Sequence, residues 1–98
     1  MTLDDLLQDI YALEDEIRNY ERKYGVLSET FYESYVAGEE PLDDAWVRDW
    51  TAWASAYELL RQHQAQYRAS VNAMRAQGHS TAAMIQKAAR HEPIPVPA

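Results

Sequence analysis

The residues able to do chemistry are few, and their spacing does not assemble a reaction. The 98-residue chain has three histidines, His63, His79 and His91, and no cysteine. A thiolate nucleophile and a cysteine-based zinc site are therefore excluded. A zinc protease needs an HExxH helix, and a di-iron bundle needs a glutamate three positions before a histidine. Neither spacing occurs. Two groups of acids, Glu14-Asp15-Glu16 and Glu39, Glu40, Asp43 and Asp44, carry enough charge to chelate calcium, but both lack the alternating oxygen ligands and central glycine of an EF-hand loop. Ser28, Ser34, Ser55, Ser70 and Ser80 belong to no nucleophile motif, and three glycines build no phosphate-cradling loop. The chain reads as a protein that is not an enzyme and takes no metal or cofactor. Binding is what its residues can do.

The binding chemistry is aromatic and acidic. Trp46, Trp50 and Trp53 fall at helical spacing, and the stripe continues through Tyr57, Leu60, Gln64, Tyr67, Val71 and Met74 in steps of three and four. A large ring left in water forfeits roughly 1.5–3 kcal/mol, so another helix, a second copy or a different protein must cover that face. The net charge of −7 conceals a division: residues 1–58 carry fifteen acids against four bases, and residues 59–98 carry five bases against one acid. An acidic front half repels nucleic-acid phosphates and attracts basic surfaces, while the five later bases are too dispersed for a nucleic-acid footprint. No apolar run approaches the roughly 18 residues of a membrane span, and Asp4 and Asp5 stand where a secretory signal would be basic. The expected location is cytoplasmic, without a membrane.

These residues have to be positioned by helices. Thr2 and Asp5 form a capping-box-like start, and Leu3, Leu6, Ile10, Leu13, Ile17, Tyr20 and Tyr24 step by three and four as far as Gly25. A short second helix follows from an N-cap at Ser28 to a stop at Gly38, and a long third helix opens at Pro41 and meets no Gly or Pro until Gly78. Ser80 opens a weaker, Ala-rich helix to about Arg90, and Pro93-Ile94-Pro95-Val96-Pro97 reads as an exposed, extended tail. The expected fold is all-α: an antiparallel helical hairpin or small bundle with a short connecting helix, one long helix and a proline-rich C-terminal tail. A helical domain is expected over about 1–78, with helices near 3–24, 29–37 and 42–77, leaving 79–98 as weak helix and tail.

Acids line the edges of the first seam at Asp9, Glu14, Glu16 and Glu21, so a parallel homodimer through that helix would set acid against acid. Any homodimer should use the long third helix instead. Tyr24, Phe31 and Trp50 are expected to pack in the corner between helices. Tyr32, Tyr35, Trp46 and Trp53, with Glu39, Glu40, Asp43 and Asp44, are the candidate partner contacts, because interfaces enrich Trp and Tyr.

One stretch resembles a known group. Tyr20-Glu21-Arg22-Lys23-Tyr24-Gly25, then Ser28, Phe31 and Tyr32, Gly38-Glu39, Asp49-Trp50 and Tyr57-Glu58, is similar to the pattern YExKYG-xxS-xxF-xxxxxxGE…(D/E)W…YE of small antitoxin-like bacterial proteins. The resemblance covers about residues 13–60 and leaves residues 61–98 as an extension. It implies an antitoxin-like inhibitor that neutralises a small, basic, toxin-like protein, an RNase-type enzyme being the expected class. The alternative is a self-associating helical adaptor.

Overall fold

A computed structural model describes residues 1–96. The described residues form four α-helices: α1 (Leu3–Tyr24), α2 (Ser28–Val36), α3 (Val47–Ala76) and α4 (Thr81–Ala89). A single 3₁₀ turn, Asp44–Trp46, leads directly into α3. No strand is present among the described residues beyond one isolated antiparallel bridge, Thr2 with Pro95.

The capping box at the start of α1 forms as its residue types require. The Thr2 amide donates to Asp5 Oδ2 at 2.9 Å and the Asp5 amide donates to Thr2 Oγ1 at 3.2 Å. The Thr2 amide, and then the Thr2 hydroxyl, hold the Asp5 carboxyl below the usual carboxylate range. Asp4 and Asp5 occupy the positive end of the helix, and Arg22 and Lys23 the negative end. Leu3, Leu6, Ile10, Leu13 and Ile17 are all buried, as their spacing predicts. Gly25, at φ 78°, turns the chain out of the helix in a conformation that side-chain-bearing residues rarely adopt.

The described residues gather into two compact units, residues 11–61 and residues 1–10 with 62–96. Within the central unit, 11–61, Tyr24 meets Trp46 and Tyr20 meets Trp53, so α1 and α3 run antiparallel there. Helix α2 links them and contributes Phe31 to their shared core. In the terminal unit the buried residues are Leu3, Leu6, Ile10, Ser70 and Met74. The Ser70 hydroxyl is satisfied by its own helix, donating to the Gln66 carbonyl at 2.8 Å. Asp9 Oδ2 lies 3.7 Å from His63 Nε2. Ser80 caps α4, accepting from the Ala83 amide at 3.0 Å.

Two helix starts differ from the sequence expectation. Ser28 is the first residue of α2 and not its cap: the N-cap position is Leu27, whose side chain cannot accept a hydrogen bond. Glu21 substitutes from the preceding helix, its Oε2 accepting from the Ser28 amide at 2.8 Å. The long helix opens later than Pro41, because Asp43 takes an extended backbone (φ −126°) and accepts from the Ala45 amide at 2.9 Å. Pro41 and Leu42 are thereby left outside the helix. At 30 residues, α3 is about 45 Å long. Along it Trp53, Ala56, Leu60, Ser70 and Met74 are buried, while Tyr57, Gln64, Tyr67 and Val71 are half-buried. The covered stripe includes the small residues Ala56 and Ser70.

Candidate partner-binding surface

The central unit holds most of the aromatic rings, and they sort into a fixed corner and its edge. Trp53 is the centre of the corner, at 1% exposure. It stacks on Phe31 with ring centroids 3.9 Å apart and planes within 3° of parallel, and on Tyr20 and Tyr24 at 5.9 and 5.8 Å. Its indole Nε1 donates to Ser28 Oγ at 2.8 Å, and that hydroxyl donates to Glu21 Oε2 at 2.8 Å. One carboxylate therefore caps α2 and terminates a hydrogen-bond chain from the buried indole. A buried indole N–H without an acceptor would cost about 1–3 kcal/mol, so Ser28 is fixed by Trp53 as much as by the helix it opens.

This placement corrects one expectation. Trp53 is core and is too enclosed to serve as a partner contact, at 1% exposure. Trp50 packs with Phe31 in the corner as expected, edge-on at 5.2 Å, but it is half-buried and lies beside the stack that Trp53 centres. The Trp50 Nε1 is enclosed and has no acceptor among the described residues.

The other candidates lie nearer solvent. Trp46 is half-buried, edge-on to Tyr24 at 5.8 Å. Tyr35 is half-buried against Phe31 at 5.5 Å. Tyr32 packs on Tyr57 at 5.1 Å and donates its hydroxyl to Glu58 Oε1 at 2.6 Å, which raises the phenol above its ordinary range. The hydroxyl of Tyr32 is thus committed within the chain, and its half-buried ring lies between those of Tyr57 and Tyr35, the latter at 6.5 Å. Glu39, Glu40, Asp43 and Asp44 are all exposed, and none forms an ion pair among the described residues.

The structure adds a residue that pattern reasoning passed over. Leu42 is 96% exposed between those two pairs of acids. Val36 and Val47, at the ends of the same connector, are 61% and 48% exposed. The sequence carried a signal: Leu42 lies four residues before Trp46, in step with the aromatic stripe, yet directly after a proline and between two pairs of acids.

The connector is held at its base. Lys23 Nζ and the Tyr24 hydroxyl both reach Asp49 Oδ2, each at 2.6 Å, tying the end of α1 to the first turn of α3. The Lys23 ammonium, and then the Tyr24 hydroxyl, hold the Asp49 carboxyl below its usual range. The same bond raises Lys23, whereas Tyr24 is raised first by burial and then by the carboxylate. Gly38, at φ 92°, and the Asp43 cap mark the two ends of the segment between them.

Among the described residues no three His, Asp or Glu side chains converge on a metal-sized space, and no helix is long and apolar enough to cross a membrane. Compared with family models, characterised proteins and solved structures, the chain matches none.

Proposed function

We propose that this chain is an antitoxin-like binding protein that neutralises a small basic protein in the cytoplasm by laying the acidic 38–46 connector over its active surface. One observation carries the reading: Leu42 stands 96% exposed amid four carboxylates without ion-pair partners. Covering one leucine is worth roughly 1.5–3 kcal/mol, and four nearby negative charges steer a basic partner and set its orientation. Those carboxylates imitate the RNA phosphates that a basic active surface would hold. The half-buried rings of Tyr35, Tyr32 and Trp46 supply the flanking contact area.

The adaptor alternative, a homodimer through the long third helix, has less to work with. Of its apolar side chains Trp53, Leu60 and Met74 are already buried, and Trp50 is half-buried against Phe31. The test is to express the neighbouring small reading frame alone and with this chain. Growth arrest by the neighbour, relieved by co-expression and not by a chain carrying Leu42→Ala with Glu39, Glu40, Asp43 and Asp44 reversed to lysine, is the expected result. A neighbour that is harmless, or that remains toxic beside the intact chain, overturns the reading.

A further inference from the structure

The terminal unit ends in a segment that is docked but poorly filled in. Antiparallel to residues 1–3, it makes two main-chain hydrogen bonds: the Leu3 amide donates to the Ile94 carbonyl at 2.7 Å and the Val96 amide donates to the Met1 carbonyl at 3.2 Å. Thr2 and Pro95 face each other between them. Ile94 is only half-buried and lines two solvent-open depressions, of about 340 Å³ and 290 Å³. A side chain at the edge of such depressions has few close contacts to hold it in place.

The turn that brings this segment back is strained. His91 has φ 56°, the only positive φ of a non-glycine among the described residues. It follows the last turn of α4, where the His91 amide donates to the Ala88 carbonyl and the Glu92 amide to the Lys87 carbonyl. A β-carbon in this region is a cost the closed form bears and a straightened hinge does not. His91 and Glu92 are both exposed, so water can replace the two hinge hydrogen bonds. Pro93 and Pro95 keep the segment extended whichever molecule it lies on, so little ordering is lost on transfer.

We propose that residues 91–96 are a detachable strap that exchanges between two copies of this chain, each strap pairing with residues 1–3 of the other. The strap carries the same two hydrogen bonds and the same Ile94 contact in either form, and the dimer alone relaxes His91. Concentration therefore sets the balance. This self-association is independent of the acidic connector and of α3.

The absence of cysteine makes a direct test available. Thr2 and Pro95 form a pair whose flanking residues carry the hydrogen bonds, so their Cα atoms should lie about 4.5 Å apart, within disulfide range. The full chain with Thr2→Cys and Pro95→Cys is equilibrated at about 10 μM or about 1 mM, then oxidised and analysed by non-reducing electrophoresis and peptide mass mapping. Expected are an intrachain bond at the low concentration and an interchain 2–95 bond at the high one, the dimer falling about fivefold when His91→Gly removes the hinge strain. Native mass spectrometry of the unmodified chain and of His91→Gly alone, over the same range, keeps the test independent of the cysteine variant's folding. A monomer at every concentration, no 2–95 bond in either form, or a dimer fraction indifferent to His91→Gly overturns the proposal.

Discussion

Trp53 and Leu42 belong to the same compact unit, eleven residues apart, and stand at opposite extremes: one is 1% exposed and the other 96%. The indole is surrounded by rings and its single donor is passed through Ser28 to Glu21. The leucine has water on nearly every side and carboxylates on both sequence flanks. Residue type alone would have reversed the assignment, since tryptophan is the commoner interface anchor. Solvation decides the case. Burying Trp53 in an aromatic stack offsets its desolvation, whereas an exposed Leu42 keeps its hydrophobic stabilisation for whatever covers it.

The largest expected effect comes from breaking the corner. Trp53→Ala should cost about 3–5 kcal/mol, read as a lower denaturant midpoint, because it removes a fully enclosed ring and leaves a cavity. Ser28→Ala removes a much smaller group yet should still cost about 1–3 kcal/mol, since it orphans the Trp53 indole N–H and deprives Glu21 of one donor. Wild-type stability in Ser28→Ala would mean that the hydrogen-bond chain contributes nothing.

A smaller effect compares two indoles. Trp53→Phe keeps a ring but loses the bond to Ser28, and should destabilise by about 1 kcal/mol or more. Trp50→Phe keeps a ring against Phe31 and removes an enclosed N–H that has no acceptor among the described residues. It should be neutral or stabilising by up to about 1 kcal/mol, for the same physical reason with the opposite sign. Equal losses in the two variants would show that ring size alone governs both sites.

The helices were legible because their signals are local. The capping box at Thr2 and Asp5, the seam from Leu3 to Ile17, Gly25 and Gly38 as stops and Ser80 as a cap are each contained within one or two turns. The boundaries that moved depend on groups elsewhere. Ser28 could not be read as an acceptor for Trp53, 25 residues away, nor Glu21 as the cap of a helix beginning seven residues later. Periodicity placed Trp46, Trp50 and Trp53 on one seam but could not rank them by depth. That ranking is set by which ring meets Phe31 face to face. Leu42 continues that stripe one step before Trp46, and what takes it off the helix and into solvent is the extended backbone at Asp43, which the spacing does not reveal.

The Asp49 clasp at the base of the connector should show itself through pH. A carboxyl whose folded value is depressed contributes stability above its unfolded value, about 3.9, and loses that contribution as pH falls through the lower folded value. Lys23 and Tyr24 are raised, so their contributions are present below their unfolded values, near 10, and are lost as pH rises through the folded ones. The melting temperature should therefore be flat from about pH 5 to 9 and fall on both sides. Asp49→Asn should lower the plateau and shallow the acid limb. Asp5, depressed by its bonds to Thr2, should preserve part of that limb. An acid limb of unchanged steepness in Asp49→Asn would show that the clasp is not what titrates.

The smallest effect on stability is expected at the connector, and there it discriminates most. Leu42→Ala removes a side chain that touches almost nothing in the chain, so its stability should stay within about 0.5 kcal/mol of wild type. Reversing Glu39, Glu40, Asp43 and Asp44 to lysine should also leave helicity intact, because only Asp44 lies within a helical turn and Asp43 alone caps one. If the proposed basic partner is found, binding to it should divide between the two changes. Leu42→Ala should raise the off-rate about tenfold or more, the loss of an apolar anchor, and leave the on-rate nearly unchanged. Charge reversal should lower the on-rate and remove its dependence on salt between about 0.05 and 0.5 M, because steering acts over a Debye length of about 10 Å at 0.1 M. An on-rate indifferent to salt and to charge reversal would make the acids a solubility device. An off-rate indifferent to Leu42→Ala would remove the leucine from the interface and place the contact on Tyr35 and Trp46.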